Sequence, residues 1–194
     1  MKDVGAGASA LIVVDVQLGF DDPSWGRGNN PSAEANVERL VDGWEAARRP
    51  VVVVRHDSVE PASPLRPDRP GNALKPFLTG RGDVLVAKSA HSAFHGDPDL
   101  DGWLRGRGVG SVVVCGITTN HCCETTARVA CDLGYDVTFV WDATRTFDRR
   151  DDHGSVVSAE DLTAVTRANL QGEFARVVRA SDALAELARD PVQG

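Results

Sequence analysis

Three short apolar runs in this chain end near a carboxylate, an amine and a thiol. Asp15 follows Ala10-Leu11-Ile12-Val13-Val14, Lys88 follows Val84-Leu85-Val86-Ala87, and Cys122 lies shortly after Ser111-Val112-Val113-Val114-Cys115. A carboxylate at the end of an apolar strand is costly to bury unless it has a partner or a raised pKa. Lysine occurs only at 2, 75 and 88 in a chain with 21 Lys plus Arg. Arginine cannot surrender its proton or act as a compact point charge, whereas a desolvated lysine does both. Cys122 stands two residues after Asn120, at the expected opening of a helix, where backbone N–H groups would lower a thiol pKa. Cys123, turned about 100° further, is expected to be a small buried hydrophobe. Brought together, Asp15, Lys88 and Cys122 would make a nucleophile with a base and a cationic partner. Taken singly, each has a structural alternative: a turn carboxylate, a lysine reaching out of a strand end, a buried thiol. Spacing alone leaves both readings open.

The elements that would position these residues are legible as a pattern. Ala10 to Val16, Val51 to Arg55, Val84 to Ala87, Ser111 to Cys115, Val137 to Trp141 and Ala175 to Val178 are rich in Val and do not alternate with polar residues. Such runs predict strands covered on both faces, hence parallel ones. Helices are expected over Ala33 to Arg48, Asn72 to Leu78, Pro98 to Arg107, Asn120 to Leu133, Ala159 to Leu170 and Asp182 to Arg189. Ser158 with Asp161 is a start signal and Gly134 a stop signal. The fold class is α/β: a single domain over 1–194, three-layered, doubly wound and Rossmann-like. In such sheets ligands bind beyond the carboxyl ends of the strands. The turn from Gly116 to Asn120 could cradle an anion or a nucleophile, but GxGxxG and GxxxxGK[ST] are both missing, so dinucleotide and P-loop chemistry is not expected. Two long loops stand out as lid candidates. One runs from Asp57 to Leu74 and carries Pro61, Pro64, Pro67 and Pro70; the other, Ala143 to Val157, is dominated by charge.

Composition narrows the function classes. The chain has 194 residues with 42% hydrophobic and 25% charged, which suits one ordinary globular core. A formal charge of −7 without a basic cluster argues against nucleic-acid partners and anionic membranes. The apolar run at Ala10 to Val14 is too short for a signal segment or a membrane span, so a soluble cytoplasmic protein is expected. Cys115, Cys122, Cys123 and Cys131 include no CxxC pair, and reduced thiols are the expectation.

Asp15-Val16-Gln17, Lys88 with Ser92-Ala93-Phe94 behind it, and Gly116-Ile117-Thr118-Thr119-Asn120-His121-Cys122 followed by Gly134-Tyr135-Asp136-Val137 resemble the isochorismatase-like cysteine hydrolases over nearly the whole chain. The resemblance implies a six-stranded parallel sheet with helices on both faces and a triad of Asp15, Lys88 and Cys122. It further implies an oxyanion hole from the backbone N–H groups of Thr118 and Cys122, with a non-proline cis peptide at Ile117–Thr118. Gln17, Phe20, His56, Thr119 and His121 are the substrate-pocket candidates. The implied reaction is attack of the thiol on an amide carbonyl through a thioester, with the Asp passing its proton to the leaving nitrogen.

Substrates in such a family include nicotinamide, carbamoyl and ureido amides and the cyclic amide of streptothricin, while isochorismate hydrolases cleave a vinyl ether without a cysteine. A streptothricin-like lactam is the leading expectation, from Thr119 to Glu124 and the acidic charge. A non-catalytic binding module is the alternative from another class. Nicotinamidases hold a metal with an Asp and several His after the second strand. Here only His56-Asp57 occurs before His91, so no metal and no cofactor are expected. His91 and His95, spaced i, i+4, are read as surface histidines rather than zinc ligands. A small-molecule substrate and a homodimer or homotetramer complete the expectation.

Overall fold

Val, Ile and Leu fill consecutive positions of the apolar runs, and only a sheet covered on both faces buries all of them. The computed structural model describes residues 9–189; Lys2 and the outer ends of the expected 1–194 domain lie outside them. Its main sheet comprises β1 (Ser9–Val14), β2 (Val51–His56), β3 (Val84–Lys88), β4 (Ser111–Ile117), β5 (Asp136–Arg145) and β6 (Arg176–Val178). All neighbours are parallel and the order is β3-β2-β1-β4-β5-β6. That order reverses direction between β1 and β4, which opens a crevice at their carboxyl ends.

Helices α1 (Ala33–Ala46), α2 (Leu100–Arg105), α3 (Glu124–Asp132), α4 (Ala159–Leu170) and α5 (Ala180–Arg189) cover the two faces. Alternate residues of β1 divide between them. Ala10, Ile12 and Val14 pack with Leu100 and Leu104 of α2, Ala127 and Ala130 of α3 and Leu170 of α4. Leu11 and Val13 pack with Val37, Leu40, Val41 and Trp44 of α1 and Ala180 and Ala183 of α5. Each fully buried Val, Leu or Ile contributes about 1.5–3 kcal/mol of apolar transfer, so the strands of the site are held between two apolar cores. At the start of α4, Ser158 Oγ accepts from Asp161 N at 3.0 Å, as its sequence signal predicts. Gly134, with φ of 91°, stops α3.

Three expected helices differ. Residues 72–78 form two 3-10 turns, Pro70–Asn72 and Pro76–Leu78, separated by extended backbone in which Leu74 bridges Gln17 antiparallel. Pro76 forbids the helical bond and pushes Lys75 to extended dihedrals. The segment 98–107 yields only the six residues of α2, entered from a cis Asp97–Pro98 bond. The segment 120–133 divides into a five-residue π turn, Thr119–Cys123, and α3. Both long loops are tied down. Asn72 Nδ2 donates to Leu65 O at 2.8 Å and to Asp57 Oδ1 at 3.0 Å across the first. In the second, β5 runs on to Arg145, and Arg149–Arg150 pairs antiparallel with Val156–Val157.

Candidate active site

β1 ends at Val14, and Asp15 turns the chain in the left-handed region with φ of 54°, its N–H donating to Val54 O at 3.0 Å. A non-glycine residue holds that conformation at a strain of about 1–3 kcal/mol, so the surroundings must fix it. Part of that fixing is Gly116 of β4. Its φ is 128°, and a Cβ there would lie 2.0 Å from Val14 O, so the two strand ends touch only because position 116 has no side chain. Beyond Gly116 the chain passes the cis Ile117–Thr118 peptide and enters the π turn that carries Cys122. Lys88 arrives from the last position of β3.

The three expected residues meet. Lys88 Nζ donates to Asp15 Oδ2 at 2.6 Å and to Cys122 Sγ at 3.5 Å, and both partners of the ion pair have side chains without solvent exposure. His56 Nδ1 lies 3.2 Å from the same ammonium. Burial pushes the His56 pKa down to about 4, helped by the Lys88 charge. The ring is therefore neutral at pH 7, its Nδ1 accepts from Lys88, and its proton sits on Nε2.

Burial also raises the Asp15 pKa against the opposing pull of Lys88. It pushes the Cys122 thiol up to about 12, with the Asp15 charge acting in the same sense. This reverses the expected direction for the thiol. The helix-end effect assumes an exposed first turn, whereas Cys122 sits in the turn before α3, at 8% exposure and beside a carboxylate. The resting site thus holds a thiol rather than a thiolate. Asp15 Oδ1 is buried and has no hydrogen-bond partner among the described residues, so it is open to receive the thiol proton.

The other candidates separate into neighbours and supports. Gln17 is fully buried and fastens two strand ends. Its Oε1 accepts from His56 N at 2.9 Å, and its Nε2 donates to His56 O at 3.0 Å and Asn72 O at 2.8 Å. Phe20 is buried in an aromatic trio, 4.9 Å from Trp25 and 6.1 Å from Phe147. Thr119 donates to Thr144 Oγ1 at 2.9 Å and so anchors the π turn to β5. Thr118 O accepts from His121 N at 3.3 Å and Cys123 N at 3.2 Å, which shapes the same turn. Cys123 is wholly buried in the core, as expected. His121 is half-buried, its pKa lowered by burial and by Arg149 of the short hairpin.

His91 is exposed, in keeping with its reading as a surface histidine, and it also borders the site. Its Nδ1 is 3.9 Å from Cys122 Sγ and its ring 6.0 Å from that of His121. The one available signal was its position three residues past Lys88. His95 ends a 3-10 turn, Ala93–His95, so the pair does not share a helix. The nicotinamidase-type metal set does not fit either, because both Asp57 carboxylate oxygens are engaged by Arg55, at 2.8 and 2.9 Å. A different group has metal-ligand geometry: donor atoms of Asp15, His56 and Cys122 lie within 4.8 Å of one another. A cavity of about 140 Å³ bounded by Ser9, Ser111 and Asp136 lies at the amino ends of the strands, the wrong end of the sheet for ligands in this architecture.

Comparisons with known proteins agree with this fold. The isochorismatase domain model matches residues 9–170. The chain is 35% identical over 170 residues to the uncharacterized isochorismatase family protein YrdC of Bacillus subtilis, covering 87% of this chain and 90% of that one. It is 30% identical over 197 residues to nicotinamidase 3 of Arabidopsis thaliana, covering 91% and 87%. It is also 30% identical over 172 residues to the ureidoacrylate amidohydrolase RutB of Azorhizobium caulinodans, covering 70% and 75%. An isochorismatase-family crystal structure from Chromobacterium violaceum superposes with a TM-score of 0.88 at 40% identity, covering 94% of this chain and 95% of that one. A cysteine hydrolase from Pseudomonas syringae superposes at 0.83 with 27% identity, covering 97% and 95%.

Proposed function

Because the chain belongs to the isochorismatase family of hydrolases, we propose that it is a cysteine-dependent amidohydrolase that opens a C–N bond of a small amide or cyclic amide through a thioester. The observation that carries this reading is the buried contact of Lys88 Nζ with both Asp15 Oδ2 and Cys122 Sγ. A vinyl-ether hydrolase or a binding module has no use for all three groups.

In this mechanism Asp15 Oδ1 takes the thiol proton as Cys122 Sγ attacks the carbonyl carbon. Lys88 stabilises the carboxylate and the developing sulfur anion together. The backbone N–H groups of Thr118 and Cys122 receive the oxyanion. As the tetrahedral adduct collapses, the C–N bond breaks and the nitrogen leaves with the proton from Asp15. Asp15 then draws a proton from water, which attacks the thioester; as the C–S bond breaks the acid is freed and the Cys122 sulfur takes that proton back from Asp15. His91, His121 and Arg149 form the rim against which the substrate is selected.

Nicotinamidase and ureidoacrylate amidohydrolase among the relatives support C–N chemistry. The substrate reading extends to a cationic lactam of the streptothricin type, favoured by the net charge of −7. The assembly is read as a homodimer or homotetramer, which light scattering measures. The deciding experiment is a panel of amides, ureido acids and lactams scored for released amine, with intact mass of the quenched enzyme. An acyl adduct on Cys122 is expected for the substrate that turns over. Turnover without an adduct on Cys122, and unaffected by alkylating it, refutes the reading.

A further inference from the structure

Asp15 Oδ2, His56 Nδ1 and Cys122 Sγ enclose one point, and Lys88 Nζ stands on it, 2.6, 3.2 and 3.5 Å from the three. The amine is the resident cation of a tripod whose feet are a carboxylate oxygen, an imidazole nitrogen and a sulfur. A carboxylate oxygen, an imidazole nitrogen and the sulfur of these three residues lie within 4.8 Å of one another, and each is a donor type that zinc takes. We propose that Asp15, His56 and Cys122 form a binding site for a thiophilic divalent cation of the zinc class, which competes with the Lys88 ammonium and reversibly switches the enzyme off.

Four features support it. The mixed sulfur, nitrogen and oxygen donors suit zinc or cobalt and are a poor match for calcium or magnesium, which select oxygen. Metal–ligand bonds of about 2.0–2.3 Å require the donors to close in by about 1 Å on the point that Lys88 Nζ holds. Asp15 Oδ1 is buried and without a hydrogen-bond partner among the described residues, so the carboxylate offers the ion a second oxygen besides Oδ2. His91 Nδ1, 3.9 Å from Sγ on an exposed ring, stands at the mouth as a fourth ligand and an entry point. On binding, the thiol releases its proton to solvent and the sulfur lone pair is committed to the metal, so attack on a carbonyl stops. Displacing the ammonium is what weakens the site in the native chain. The proposal goes beyond the amidohydrolase reading, and metal binding can be read whether or not a substrate has been found.

The test uses full-length protein stripped with EDTA. Cobalt(II) is titrated while the sulfur-to-cobalt charge-transfer absorption is followed, and zinc is titrated while alkylation of Cys122 by iodoacetamide is mapped by mass. Native protein is expected to take one equivalent, with zinc protecting Cys122 and EDTA restoring its reactivity. Lys88→Ala is expected to bind at least tenfold more tightly, and His56→Gln at least tenfold more weakly. Absence of the charge-transfer band from both the native chain and Lys88→Ala, or equal affinity in the two, overturns the proposal. If Lys88→Ala does not fold, native protein against His56→Gln decides it: equal zinc protection means that the ion is held elsewhere.

Discussion

Asp15 and Cys122 are both driven toward their protonated forms by burial, and the Lys88 charge opposes that drive at both. Asp15→Asn keeps the shape but cannot accept the thiol proton, so the acylation burst is expected to vanish along with steady turnover; a full burst in stopped flow would assign the base elsewhere. The tripod around Lys88 has no room for a wide planar head, since its side chain is wholly buried. Lys88→Arg is accordingly expected to lower kcat nearly as far as Lys88→Ala, and retention of most activity would reduce Lys88 to a distant counter-charge. Cys122→Ser is expected to lose several orders of magnitude in kcat. Cys123→Ala, which removes a core sulfur, is expected to cost on the order of 1 kcal/mol in urea unfolding and little activity.

At the scale of elements, the site depends on a fastening between the ends of β1 and β2. Gln17 satisfies the His56 backbone N–H and the Asn72 carbonyl, and leaving such buried groups unpaired costs about 1–3 kcal/mol each. Gln17→Leu is therefore expected to lose at least about 2 kcal/mol of stability by urea unfolding, together with activity; a change under about 0.5 kcal/mol would show that the fastening is dispensable. The strand ends that carry Asp15 and Lys88 were legible in advance because uninterrupted Val and Ile runs suit a covered parallel sheet, whereas the grouping of Asp15, Lys88 and Cys122 came from the family resemblance, since spacing alone left a structural role open for each. The 72–78 segment was not legible, since Leu74, Phe77 and Leu78 imitate a helical stripe while Pro76 breaks the backbone pattern beneath it. His91 carried no periodic signature, because the loop after β3 sets its place. The thiol shift was misjudged because a helix end acts locally, whereas the burial that overrides it comes from the assembled sheet.

For the whole molecule, buried titratable groups bound stability on both sides. His56 is held to about 4 against its ordinary 6.5, so between those values the unfolded chain binds a proton that the native one refuses. Stability then rises with pH across that window and is lost as pH falls through it. The thiols of Cys115, Cys122 and Cys123 lie above the ordinary 9.0, so above pH 9 the unfolded chain has released protons that the native one keeps. There stability falls as pH climbs. Tm plotted against pH is expected to form a dome, with Cys115→Ala flattening its alkaline side; an unchanged alkaline slope would remove that thiol from the account. Dialysis against EDTA is expected to leave fold and activity intact, and loss of both with co-purified metal would reveal a required ion.

Both described lysines are interior. Lys75 is clasped by Asp21 and Glu34 with its side chain 8% exposed, and Lys88 by Asp15 with none. Across residues 9–189 the folded surface therefore offers no freely reactive primary amine. Succinimidyl esters and lysine-specific proteases should find this span inert until it unfolds, which makes amine labelling a direct clock for global opening. Coupling the native protein to an amine-reactive surface would likewise leave the Lys88 ammonium untouched.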